Sequence, residues 1–263
     1  MRTAFTIAAL LVVQLLHAQG PHVKAAQPLP FEEKMNVVAW LCSYDSVATF
    51  ISDIAMTMPY EQRLRIGRHW FCLQGPDGVW QAVFGRFANG RYDLVSHYRM
   101  VDSFNIDQVC DADTAMLNSH SRAIDNAYAE ASKIIGPSQV RFNKFLKDNP
   151  DGTLSIWMMP SVQSADIAMY GGEFYYKFDK TGTAVLDRNE YYTGRFRGFK
   201  TGSPREIHLD YLQDDTPTLG AMYFAWRNRK VFGDIYIENK VNRMVLSYNE
   251  DKGYHWVTTG RKK

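Results

Sequence analysis

The chain has 263 residues, of which 46% are hydrophobic and 14% aromatic, and its 30 Lys and Arg against 28 Asp and Glu give a formal net charge of +2. This near-neutral balance excludes a whole-molecule field that would steer the chain onto nucleic acid, so no nucleic-acid partner is expected. The length allows one large domain or two small ones, and 15 Tyr, 15 Phe and 6 Trp favour a strand-rich fold.

The first eighteen residues, MRTAFTIAALLVVQLLHA, have the layout of a secretory signal peptide. Arg2 is the positive start, Phe5 to Leu16 the apolar run, and Ala18 a cleavage point before Gln19. The run is shorter than the ~20 apolar residues that a membrane-spanning helix needs. Cleavage near Ala18 predicts a secreted or periplasmic protein with no transmembrane segment in the mature chain. Residues 19–31, with Pro21, Pro28 and Pro30, are expected to form a disordered leader.

From Glu32 to Ile54 the residues Met35, Val38, Ala39, Cys42, Val47, Phe50, Ile51 and Ile54 recur at helical spacing, with Ser43 or Asp45 a possible break and Pro59 an end. Residues 68–100 then alternate as three strands separated by QGPD and FANG, which predicts a three-stranded antiparallel meander. Asp111 or Asp113 is placed to cap a long helix through Ile135, stopped by Gly136-Pro137. A further helical turn is expected over 139–147, before the Asp148-Asn149-Pro150 turn.

Strand patterns resume after residue 152 and run to the basic end Arg261-Lys262-Lys263, with residues 218–228 readable as strand or short helix. The predicted fold class is α+β: N-terminal helix, three-stranded antiparallel meander, long helix, then a larger mostly antiparallel sheet. The chain divides into a helix-meander-helix part (32–149) and a β-rich part (150–263), or 32–263 forms one domain. Cys42, Cys72 and Cys110 match no metal-binding spacing; they allow one disulfide in an oxidising compartment, or three buried thiols.

The chain carries no nucleophile elbow, no HExxH and no phosphate-binding loop. His120 falls on the apolar stripe of the long helix, where it serves as a general base beside Ser119 or Ser121, or simply bonds a backbone carbonyl. The stretch 188–205 interleaves Arg195, Arg197 and Lys200 with Tyr191, Tyr192, Phe196 and Phe199, a pattern suited to gripping an anionic partner through guanidinium forks. These seven residues are the expected binding surface, and the partner is an envelope or extracellular protein, or a glycan.

Glu173, then His208-Leu209-Asp210, then Thr216-Pro217-Thr218 follow one another along strand-like segments. Over residues 165–248 this order resembles the JAB/MPN metallopeptidase pattern. The resemblance implies Glu173 as general base and His208 as a zinc ligand. Asp210 stands where the family has its second histidine, and Ala221 where it has an aspartate, so the third ligand of a catalytic zinc is missing. Two functions follow from the sequence. The first is an exported, soluble, non-catalytic binding protein without a cofactor or metal. The alternative is a metal-dependent hydrolase, degenerate and JAB/MPN-like, using Glu173, His208 and Asp210.

Overall fold

The computed structural model describes residues 24–25, 29–102, 105–109, 111–162, 166–202, 205–211, 216–240 and 242–260. The expected signal peptide, its cleavage point and Cys110 lie outside them. Helical periodicity is realised as one unbroken helix, α1 (Phe31–Met56), whose buried face is Lys34, Val38, Leu41, Tyr44, Val47, Ile51 and Ala55. That face is turned from the expected stripe, leaving Met35, Cys42, Phe50 and Ile54 half-buried along its flank. Neither Ser43 nor Asp45 breaks the helix. Ser43 Oγ donates to the Ala39 carbonyl, and Asp45 forms an ion pair with Arg227 at 2.7 Å. By length and composition α1 could also cross a membrane; in this fold its inner face lies on the protein core. Pro59 starts a short helix, α2 (Tyr60–Arg65).

The expected meander has four strands rather than three. Strands β2 (Phe71–Gln74), β3 (Trp80–Ala88), β4 (Arg91–Met100) and β5 (Ile106–Val109) pair antiparallel in that order. The fourth was not legible because Ile106–Val109 is too short to show alternation. Within the segment expected as a disordered leader, Lys24–Ala25 form β1, which pairs parallel with Asp187–Arg188. Helix α3 (Thr114–Ile135) starts at Asp113, whose carboxylate accepts from the Ala115 and Met116 amides, and ends at Gly136, whose φ of 69° lies in the left-handed region.

The helical turn expected over 139–147 is instead a strand, β6 (Phe142–Asp148), paired antiparallel with β7 (Leu154–Pro160). Short apolar runs fit either period, and here the strand wins by joining β7 in a hairpin. That hairpin straddles Asn149-Pro150, the proposed boundary of the β-rich part, and core clusters on both faces mix residues from either side of it. The segment from Ile167 to Phe178 is two strands, β8 (Ile167–Tyr170) and β9 (Glu173–Phe178), broken at Gly171-Gly172 with φ values of 100° and 85°. Positive φ at both positions suits only glycine, and it sends β8 and β9 into different sheets.

The larger sheet expected after residue 152 is therefore three sheets. One has the order β1-β10-β9-β7-β6, where β10 is Val185–Tyr191. The second pairs β8 with β11 (Arg197–Lys200). The third has the order β12-β13-β14-β15: Ile207–Asp210, Ile235–Glu238, Asn242–Asn249 and Gly253–Gly260, with β12 parallel to β13 and the rest antiparallel. Residues Leu219–Asn228 form helix α4, capped by Thr218, whose hydroxyl accepts from the Ala221 amide.

The meander and the five-stranded sheet meet where β2 runs beside β6. One face carries Cys72, Ala82, Phe84, Phe145 and Trp157 against α1; the other carries Phe71, Val83, Leu146, Ile156 and Tyr176 with the apolar residues of α3. Tyr44 closes the gap between the two sheets, its hydroxyl accepting the Cys72 amide at 2.9 Å. The disulfide expectation is not met. Cys42 and Cys72 are both free thiols, and burial pushes their pKa up to about 11 and about 12.

Candidate functional site

The first site surrounds Glu173. The Gly171-Gly172 break turns β9 so that the Glu173 side chain enters the protein beneath the N-terminus of α4. There the Gly220 amide donates to Glu173 Oε2 at 2.6 Å. Burial raises the Glu173 pKa, opposed by hydrogen bonds from Thr218 and the α4 amides and by the nearby Lys34 charge. Lys34, itself buried on α1, donates to the Pro217 carbonyl at 2.8 Å and to Thr216 Oγ1 at 2.9 Å. One cation and one carboxylate thus tie α1, β9 and the start of α4 together. A narrow cleft lies at this point, lined among others by Tyr223 and Arg227 of α4 and by Met159 and Pro160. Glu173 is committed to holding a helix end, a structural use of a buried carboxylate.

The second site is where the basic, aromatic stretch comes to rest, and it divides that stretch by chemistry. Phe199 is buried against Phe224 and Phe232, and Phe196 packs on Phe142 and Tyr192. Tyr191 lies on the edge of the Glu173 cleft. The aromatic residues therefore build the fold, while Arg195 and Lys200 remain exposed and Arg197 is half-exposed. Arg197 lies over the Phe199 ring at 5.0 Å and pairs with Asp210 at 3.1 Å. Arg195, Arg197 and Lys240 border an open cleft that Asp210, beside Arg197, and Glu238 also line. Arg195 and Lys240 form no ion pair among the described residues, whereas Glu238 is engaged by His208 and Arg243. The uncommitted charge on this cleft is positive.

His208 and Asp210 both point outward from β12, as two residues separated by one on a strand must. His208 bonds Glu238 and stacks on Tyr236 at 5.0 Å, and Asp210 is taken by Arg197. The structure does not bring them to Glu173, which lies under α4. No group of three or more His, Cys, Asp and Glu placed to hold a metal ion occurs among the described residues. His120 is buried, donates from Nδ1 to the Met116 carbonyl at 2.7 Å, faces Asp148 and stacks on Phe71 at 5.5 Å. Ser119 Oγ donates to the same carbonyl, and the buried Ser121 Oγ makes no hydrogen bond, to His120 or to any other group, among the described residues.

A third depression of about 980 Å³ lies at the gap between β2 and β6, bordered by Trp70, Arg141, Lys144, Asp45 and Arg227. The Lys144 amine sits over the Trp70 ring at 5.2 Å, and burial lowers its pKa from 10.5 to about 8. Sequence pattern had not singled out Lys34, Lys144, Arg227 or Lys240. The signal for Lys34 was present: a charge four residues before Val38 on an apolar stripe implies a buried partner. The chain matches no protein-family model, no curated protein and no solved structure.

Proposed function

We propose that this is an exported, non-catalytic binding protein whose recognition surface is the cleft at Arg195, Arg197 and Lys240, and that its partner is an acidic segment of an envelope or extracellular protein. The observation that carries this reading is the convergence of three cations on one open cleft, two of them without an internal counter-ion among the described residues. Guanidinium groups at such a place grip carboxylates through paired hydrogen bonds. A protein partner is favoured over a glycan because the rings that would stack on sugar, Phe196 and Phe199, are packed against other side chains. Export rests on the N-terminal pattern of Arg2, Phe5 to Leu16 and Ala18.

The test uses a fluorescent poly-glutamate peptide and anisotropy on the purified chain. Arg195→Glu with Lys240→Glu should weaken binding by about tenfold or more, with thermal stability nearly unchanged, because surface charges contribute little to folding. Equal affinity in wild type and variant, or no binding by the wild type, refutes the placement. Mass analysis of the protein recovered from the cell envelope tests export, and an intact Met1 would refute it.

A further inference from the structure

We propose that Lys144 is a covalent capture site, whose amine forms a reversible imine with a small aldehyde carrying a carboxylate, in the depression between β2 and β6. The site is separate from the cleft at Arg195, Arg197 and Lys240, and neither depends on the other. Lys144 lies on β6 with its amine over the ring of Trp70, at 5.2 Å, and both side chains line the depression. Trp70 is stacked on Phe84 at 5.3 Å, which holds the ring in place as an apolar wall. Among the described residues the Lys144 amine enters no hydrogen bond and no ion pair. The amines of Lys34, Lys133 and Lys177, by contrast, are each bonded to an oxygen. A half-buried amine that borders an open depression and has no acceptor of its own is available to a ligand.

Desolvation against an apolar wall and a neighbouring cation both turn a lysine into a nucleophile, because each favours the neutral amine. Lys144 has both, the first from its burial and the second from Arg68, and its pKa falls from 10.5 to about 8. At pH 7 about one such amine in ten is neutral, against about one in three thousand for an ordinary lysine. The nitrogen lone pair then adds to the aldehyde carbon. The carbonyl oxygen takes up both amine protons and leaves as water, so a C=N bond replaces C=O with no change of oxidation state. The charged groups around the depression favour an anionic ligand. Arg141, Lys144 and Arg227 border it against Asp45 alone, and Asp45 is paired with Arg227 at 2.7 Å. Tyr44 and the nearby Cys72 thiol are kept neutral by burial, which raises the pKa of both.

Treating the full chain with glyoxylate and cyanoborohydride at pH 7 tests this, since the hydride reduces the imine to a stable secondary amine that peptide mass spectrometry locates. Lys144 should be labelled about tenfold or more faster than the exposed Lys180 and Lys252, and the lead should vanish in denaturing urea. Propionaldehyde, which has no carboxylate, serves as the neutral comparison. The preference for glyoxylate over propionaldehyde should be severalfold greater at Lys144 than at Lys180, and Arg141→Gln should reduce it. Labelling of Lys144 no faster than that of the exposed lysines refutes the site, as does a lead that survives in urea. A preference equal at Lys144 and Lys180, or unmoved by Arg141→Gln, refutes the carboxylate-bearing ligand.

Discussion

Lys144→Met should stabilise the protein at neutral pH, and the gain should vanish as the solution becomes alkaline. Lys144 lies on β6 with its amine over Trp70, and burial is the main cause that lowers its pKa from 10.5 to about 8, with Arg68 adding repulsion. The folded state therefore sheds this proton before the unfolded state does. Below about pH 8 both states hold the proton and the full cost of burying the charge is present. Between about 8 and 10.5 that cost falls, so wild-type stability from this group rises with pH, and above the unfolded value the cost is gone. At ~1.4 kcal/mol per pH unit the gap corresponds to about 3 kcal/mol. Water reaching the half-buried side chain reduces it, and the cation–π contact with Trp70 returns about 0.5–1 kcal/mol. The expected net gain for methionine, which fills the same space without a charge, is about 1–2 kcal/mol near pH 7. Urea unfolding of both proteins at a series of pH values reads it directly. A variant less stable than wild type at pH 7, or a gain independent of pH, would show that the amine is well solvated or satisfied in the fold.

Gly220→Ala would ordinarily favour a helix, but an added Cβ would lie 2.6 Å from Glu173 Oε2 and 2.9 Å from Glu173 Cβ. A loss of about 1–3 kcal/mol is expected by denaturant unfolding, and a neutral outcome would mean that the start of α4 can move off Glu173. Asp113→Ala removes the acceptor for the Ala115 and Met116 amides and should cost about 1 kcal/mol, while Asp113→Asn should cost much less. Tyr44→Phe strands the Cys72 amide between the two sheets at a cost of about 1–3 kcal/mol, with faster hydrogen exchange at Cys72 as the local readout.

Residues whose role is set by near neighbours were legible in the sequence. Asp113 is a cap because its carboxylate reaches amides two and three residues on, and Gly136 ends the same helix by its own backbone freedom. The α+β class follows from such local signals. Residues whose role depends on distant chain were not. Residues 142–148 carry apolar and polar groups at spacings that suit either period, and only β7 decides for strand. Gly171-Gly172 lies inside a strand-like run, and nothing local says that the chain must leave one sheet and enter another there. The buried stripe of α1 was misplaced for a related reason: Lys34 is on it, and only Pro217 and Thr216, far along the chain, make its burial tolerable.

The same distinction bears on the carboxylate that the resemblance to a metallopeptidase picks out, whose surroundings in the fold are set by distant chain. Glu173 is unusual: it is buried, its pKa is raised, and it stands beside a cleft, which are the marks of a catalytic base. Those marks also arise when a carboxylate holds a helix end. The partners of Glu173 in the fold are those of a carboxylate at a helix end. The Gly220 amide and the Lys34 charge stabilise the ionised form where it stands, and among the described residues Glu173 belongs to no group of three His, Cys, Asp or Glu that could hold a metal ion. His208 and Asp210, two residues apart and on one strand face, are instead drawn apart by Glu238 and Arg197. Asp210 thereby neutralises Arg197 alone, leaving Arg195 and Lys240 as the charges that an acidic partner would meet first. A residue offered by the sequence as a metal ligand is thus, in the fold, the counter-ion of Arg197.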